Sequence, residues 1–146
     1  MQISHLTPDI AVGPQITEAD VETIAALGFR SIIGNRPDGE AADQPSFATL
    51  KAAAENNGLK NRHIPVVASK ITAQDIKRFR DALRELPKPV FAFCRTGTRS
   101  TILWALANAE TLTTDERIRT AAGNGYDIAP FRSALEEADR GVSHDA

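Results

Sequence analysis

The chain reads as one α/β domain, a central and largely parallel sheet flanked by helices. Two observations predict this. Short apolar runs alternate with amphipathic stretches along the whole sequence, the rhythm of strands connected by helices. The composition, 42% hydrophobic and 25% charged over 146 residues, suits one ordinary globular domain with a real core. The sequence shows no repeat, so the domain covers 1–146, with Gly141 to Ala146 as a loose tail.

Asp9-Ile10-Ala11-Val12-Gly13 is the first predicted strand. Thr17-Glu18-Ala19-Asp20 has the spacing of a capping box, Val21, Ile24, Ala25 and Leu27 supply a helical stripe, and Gly28 supplies the stop. Phe29 to Gly34 is the next strand, running into the polar turn Asn35-Arg36-Pro37-Asp38-Gly39-Glu40. A second helix covers Ser46 to Asn56 and ends at Asn57-Gly58, and Arg62 to Val67 follows as a strand. The third helix starts at Thr72 and carries Ile76, Phe79, Leu83 and Leu86, until Pro87 and Pro89 end it. Val90-Phe91-Ala92-Phe93 is a short buried strand, and Ser100 to Ala107 the helix after it, with Leu103, Trp104 and Leu106 as core. Two further helices begin at Thr113 and near Asp127, the second carrying Phe131 and Leu135, and Asn124-Gly125 separates them.

Charge and composition exclude several classes. A net charge of −2 gives no reason to expect a nucleic acid partner. The basic run Lys77-Arg78-Phe79-Arg80 with Arg84 is balanced by Asp75, Asp81 and Glu85, the pattern of a solvated helix face. No stretch approaches the roughly 18 apolar residues of a membrane span, and Met1 to Leu6 has no secretion-signal pattern. A single cysteine makes no internal disulfide, which fits a reducing cytoplasm. His5, His63 and His144 are scattered and no second cysteine accompanies them, so neither a metal nor an organic cofactor is expected. His63 reads as a packed residue beside a strand.

That one cysteine, Cys94, lies where the apolar run ends, in Phe93-Cys94-Arg95-Thr96-Gly97-Thr98-Arg99-Ser100. A thiol at a strand-to-helix turn faces free backbone N–H groups and the positive end of a helix dipole, and two arginines flank it. Such surroundings favour a thiolate and bound anions. In open α/β sheets, ligands also collect beyond the carboxyl ends of strands. Cys94 is therefore the expected nucleophile, and the partner a small anionic substrate. Arg99 is the expected anion ligand, its guanidinium fork matching oxyanion geometry. Ser100 is expected either to bond the Cys94 thiolate or simply to start the helix. Arg95, Thr96, Gly97 and Thr98 form the binding loop, with Gly97 allowing backbone closed to other residues and Arg95 and Thr98 pointing outward.

The loop resembles those of cysteine-based phosphatases and of rhodanese-type sulfurtransferases. The wider chain resembles the beta-lactamase-hydrolase-like, phosphatase-like domain family. The resemblance rests on Val12-Gly13-Pro14-Gln15, Gly28 to Ile33, the Asn35 to Glu40 turn, the Cys94 loop and Gly125-Tyr126-Asp127. It implies a fold like that of dual-specificity phosphatases.

Two features separate the reactions. Tyrosine-phosphatase-like loops place five residues between cysteine and arginine, whereas four stand here, as in rhodanese-like loops, and Phe93 replaces the histidine usual before a phosphatase cysteine. Phosphoester cleavage also needs a proton donor for the leaving oxygen. The segment His63 to Lys70, where that acid normally sits, holds no carboxylate. Asp38 or Glu40 is the substitute if their turn folds over the loop, although Asp38 before Gly39 also reads as a turn residue. Sulfur transfer needs no acid. The expected function is thus a rhodanese-type sulfurtransferase that carries sulfane sulfur from thiosulfate or a persulfide on Cys94 to a thiol acceptor. The alternatives are a phosphatase with a Cys94 phosphocysteine and a catalytically silent anion- or partner-binding module.

Overall fold

The computed structural model describes residues 1–145. Strands β1 (Ser4–Thr7), β2 (Ile10–Gly13), β3 (Ser31–Gly34), β4 (Lys60–His63) and β5 (Val90–Phe93) form one sheet in the order β1-β2-β5-β3-β4. All neighbouring pairs are parallel except the β1–β2 hairpin at one edge. Helices α1 (Glu18–Ala26) and α2 (Phe47–Asn56) cover one face. The other face carries α3 (Ala73–Glu85), α4 (Thr98–Ala107), α5 (Thr114–Gly123) and α6 (Arg132–Asp145), with a short 3-10 helix (Ala129–Phe131) before α6.

The helix starts follow from their caps. Thr17 with Asp20, Thr72 with Asp75 and Thr113 with Glu116 each close a reciprocal capping box. The apolar alternation of β5 divides the core. Phe91 and Phe93 pack with Val21, Ile24, Phe47 and Leu50 on one face, while Val90 and Ala92 pack with Phe79, Leu83 and Leu103 on the other. α4 lies in the middle of the larger layer and is buried from Arg99 to Ala107.

Three departures from the sequence reading have local causes. β1 escapes prediction because four residues alternating buried and exposed are too short a signal. β4 ends earlier than expected. Beyond it Ile64 and Val66 still donate to the Gly34 and Asn35 carbonyls, but Pro65 between them has no N–H. Phe131 is exposed, since the chain turns through the 3-10 helix before α6 and Leu135 supplies the buried contact. α6 also includes Gly141 to Asp145, the stretch expected to be loose, and Ala146 lies outside the described residues.

The strands that frame the site end at one level. Gly13, Phe93 and Gly34 stand side by side across β2, β5 and β3. Both glycines are required by close approach: a Cβ on Gly34 would meet the Phe47 ring at 2.7 Å, and one on Gly13 the Phe91 ring at 2.8 Å. Among the described residues, no helix is long and apolar enough to cross a membrane.

Leu103, fully buried under this layer, tests the packing. Leu103→Ala should lower unfolding free energy by about 2–5 kcal/mol in guanidinium titrations, with an unchanged m-value.

Candidate active site

Cys94 follows β5 directly and Gly97, at φ 96°, is the N-cap of α4. The loop therefore feeds the helix at Thr98, two residues earlier than the apolar pattern suggests. Its left-handed backbone at Gly97 lets the chain curl back over the cysteine. The Gly97 N–H donates to Cys94 Sγ at 3.1 Å, and Cys94 itself is only 1% exposed.

Arg99, the second residue of α4 and buried, faces the polar turn after β3. Its Nη1 and Nη2 donate to the two Glu40 carboxylate oxygens at 2.8 and 2.9 Å, and Nη1 also donates to the Val66 carbonyl at 3.1 Å. Glu40 Oε1 is shared with Arg36 Nε at 3.0 Å. Arg36, itself buried, donates onward from Nη1 to Gln15 Oε1 at 3.2 Å. The Gln15 N–H in turn donates to the Arg95 carbonyl of the loop at 3.2 Å. His63 supports the turn from below, its Nε2 bonded to the Arg36 carbonyl at 3.1 Å and its ring stacked on Phe47 at 4.4 Å.

The electrostatics follow this geometry. The Arg99 hydrogen bond, helped by Arg36, holds the Glu40 carboxyl below its ordinary range against the opposing effect of burial. Arg99 is raised above its usual value chiefly by Glu40, with Cys94 adding to the effect by charge and hydrogen bonding. Arg36, Glu40, Arg95 and Arg99 line one cleft together with Ser69 and Val67, so three guanidiniums and one carboxylate leave it cationic.

The structure brings Cys94, Arg99 and Glu40 together as the loop pattern and the folded-over turn suggest. It places Ser100 otherwise. The Ser100 hydroxyl donates to Oδ1 of the fully buried Asn35 at 2.8 Å rather than to Cys94. Asn35 also donates to the Ile64 and Phe93 carbonyls, from Nδ2 and its backbone N–H, and so ties α4 to two strand ends. Asp38 Oδ1 accepts the Phe47 N–H at 2.8 Å at the start of α2. Glu40 is held between the Arg99 and Arg36 guanidiniums. Arg95, Thr96 and Thr98 are exposed on the outer side of the loop, with Thr96 Oγ1 donating to Thr98 Oγ1 at 3.0 Å. Sequence reasoning missed Gln15, Asn35, Arg36 and Tyr126 as individual site residues. Their signal was present only as segments, and for Arg36 as the i,i+4 spacing to Glu40.

The phosphatase-like domain of beta-lactamase hydrolase-like proteins matches residues 2–111 of this chain. The chain belongs to that family. A beta-lactamase hydrolase-like protein of Agrobacterium fabrum is 33% identical over 99% of the chain and 34% of its own length. One from Xylella fastidiosa is 32% identical over 93% and 32% respectively, so the chain spans about a third of the length of these curated relatives. A crystal structure described as a candidate phosphatase of Neisseria meningitidis superposes with a TM-score of 0.83 at 41% identity, covering 94% of this chain and 99% of that one. The catalytic core of a PP-IP phosphatase from S. cerevisiae shares the fold at a TM-score of 0.66 and 16% identity, over 98% and 91% of the two chains. The fold is thus that of cysteine-based, dual-specificity-like phosphatases. These comparisons back the phosphatase alternative better than the sulfur transfer that the loop length favours.

The Arg99–Glu40 pair has a defined pH signature. With the folded carboxyl depressed, its contribution is complete above the ordinary glutamate range and is lost as pH falls through the folded value. Glu40→Gln should destabilise the protein by about 1–2 kcal/mol at neutral pH. Thermal melts across pH should show that gap constant near neutrality and closing under acid conditions.

Proposed function

We propose that the chain is a cysteine-dependent phosphatase in which Cys94 takes a phosphoryl group from a small anionic substrate. One observation carries this reading. Cys94 sits at the carboxyl end of β5 in a cysteine-phosphatase fold, its sulfur already meeting the Gly97 N–H, with Arg99 beside it. Inward N–H groups and a guanidinium suit the charge that develops on equatorial phosphoryl oxygens. The Glu40 oxygens take both Nη groups, which fixes the orientation of the guanidinium beside Cys94.

In the proposed sequence, the Cys94 thiolate attacks phosphorus. The S–P bond forms and the bond from phosphorus to the leaving oxygen breaks, its electron pair departing on that oxygen. Water then attacks the phosphocysteine, releasing phosphate and restoring the thiolate, while the water proton passes to solvent. With Asp38 bonded at the start of α2 and Glu40 held by Arg99 and Arg36, the leaving oxygen departs as an anion. The favoured substrates are therefore those with acidic leaving groups, such as aryl phosphates, acyl phosphates or phosphoanhydrides. The lone thiol fits a reducing, cytoplasmic setting.

Sulfur transfer stands as a second reading, favoured by the four-residue spacing from Cys94 to Arg99 and by the same lack of a free acid. Here the thiolate attacks the outer sulfur of thiosulfate, sulfite leaves with the electron pair of the S–S bond, and a thiol acceptor collects the sulfur.

Hydrolysis of aryl phosphates of graded leaving-group acidity, with intact-mass analysis of trapped intermediates, separates the two. A phosphoryl adduct on Cys94 is expected, with rates falling steeply as the leaving group becomes less acidic. Cys94→Ser should lower turnover by at least about a thousandfold. A one-sulfur adduct after thiosulfate treatment, with no phosphate release, would select sulfur transfer. Equal behaviour of wild type and Cys94→Ser in both assays would overturn both.

A further inference from the structure

Three successive loop carbonyls are turned away from Cys94, and each is held by a donor outside the ring. The Arg95 carbonyl accepts from the Gln15 N–H, and the Gly97 carbonyl accepts from the Thr101 N–H and hydroxyl. The middle carbonyl, that of Thr96, accepts the phenolic hydroxyl of Tyr126 at 3.1 Å.

This middle peptide matters most. In a trans peptide the C=O and N–H point in opposite directions. The N–H opposite the Thr96 carbonyl is that of Gly97, the one that meets the Cys94 sulfur. Gly97 has a left-handed backbone and no side chain, so local sterics do little to stop this peptide from rotating. A rotated peptide would aim a carbonyl, rather than an N–H, at the anion.

Tyr126 is built for the task. It is buried, and its phenol lies so close against Gly97 that a Cβ there would collide with the hydroxyl oxygen. The Ser4 side chain on β1 interacts with the same phenol and works against a rise in its pKa. Burial, with a smaller effect from the Cys94 charge, pushes the phenol above its ordinary value, so it remains a donor. Tyr126 also lies beyond residues 2–111, the part of the chain that the family domain matches.

We propose that Tyr126 is a positioning residue for the loop, its hydroxyl holding the Thr96 carbonyl outward so that the Gly97 N–H stays aimed at Cys94 and at the anion bound there. The role rests on the anion-binding reading of the loop. It acts through the Thr96–Gly97 peptide and not by touching substrate.

The test compares wild type with Tyr126→Phe, which keeps the ring and removes the hydroxyl. Two readouts are taken: the amide resonance of Gly97 by NMR, and the affinity for inorganic phosphate by calorimetric titration. The expected result is a shifted and broadened Gly97 resonance with phosphate affinity weakened about tenfold, in a protein that still melts cooperatively. An unchanged Gly97 resonance and unchanged phosphate affinity would overturn the proposal. If Tyr126→Phe does not fold, Ser4→Ala decides. A smaller change in the same direction supports the role, and no change rejects it. Should wild type fail to bind phosphate, the anion-binding reading falls, while the Gly97 resonance still decides whether Tyr126 holds the peptide.

Discussion

The paired contact between Arg99 and Glu40 joins two parts of the chain that are 59 residues apart. Arg99 belongs to the helix that follows the cysteine, and Glu40 to the turn that follows β3. A buried guanidinium without an anionic partner would be costly, so the turn has to fold over the loop for α4 to pack as deeply as it does. His63 bonds the Arg36 carbonyl of that turn, and Arg36 links through Gln15 to the Arg95 carbonyl of the loop itself. The site is therefore a closed circuit of contacts, in which each member fixes the orientation of the next.

The sheet order makes that circuit possible. β5 lies between β2 and β3, so the segments leaving those neighbours emerge on either side of Cys94. One contributes Gln15 and the other Asn35, Arg36 and Glu40. The glycines at the ends of β2 and β3 leave room for aromatic rings directly beneath. Bulk is thus kept below the sheet end while polar groups gather above it. Asn35 marks the boundary, with no exposure and with hydrogen bonds to Ile64, Phe93 and Ser100.

Local chemistry made much of this readable from residues alone. A capping-box spacing announced α1, Thr72 and Thr113 were legible as helix starts, and the cysteine, glycine and arginines of the loop are close enough in sequence to suggest a nucleophile and its anion ligand. What escaped depends on contacts between distant segments. Ser100 looked like a partner for the thiolate because it follows Arg99, yet its proton goes to Asn35, 65 residues away. Asp38 and Glu40 were both read as possible acids, Asp38 also as a turn residue, and the fold sets one at a helix start and the other on an arginine. β1 was invisible as a four-residue strand, and with it the support that Ser4 gives Tyr126. Loop length alone pointed toward sulfur chemistry, while the family and the full fold point toward phosphate. Those signals arise at different scales of the same chain.

The depth of Cys94 has a consequence for how the protein behaves outside its reaction. Cys94 is 1% exposed, and it is the only cysteine in the sequence. A disulfide between two copies would need the sulfurs about 2 Å apart, with both Cβ atoms nearly as close. Two loops recessed this far cannot approach so nearly without unravelling. Covalent dimerisation in air is therefore sterically closed to the folded chain, and oxidation is left to small molecules able to enter alone.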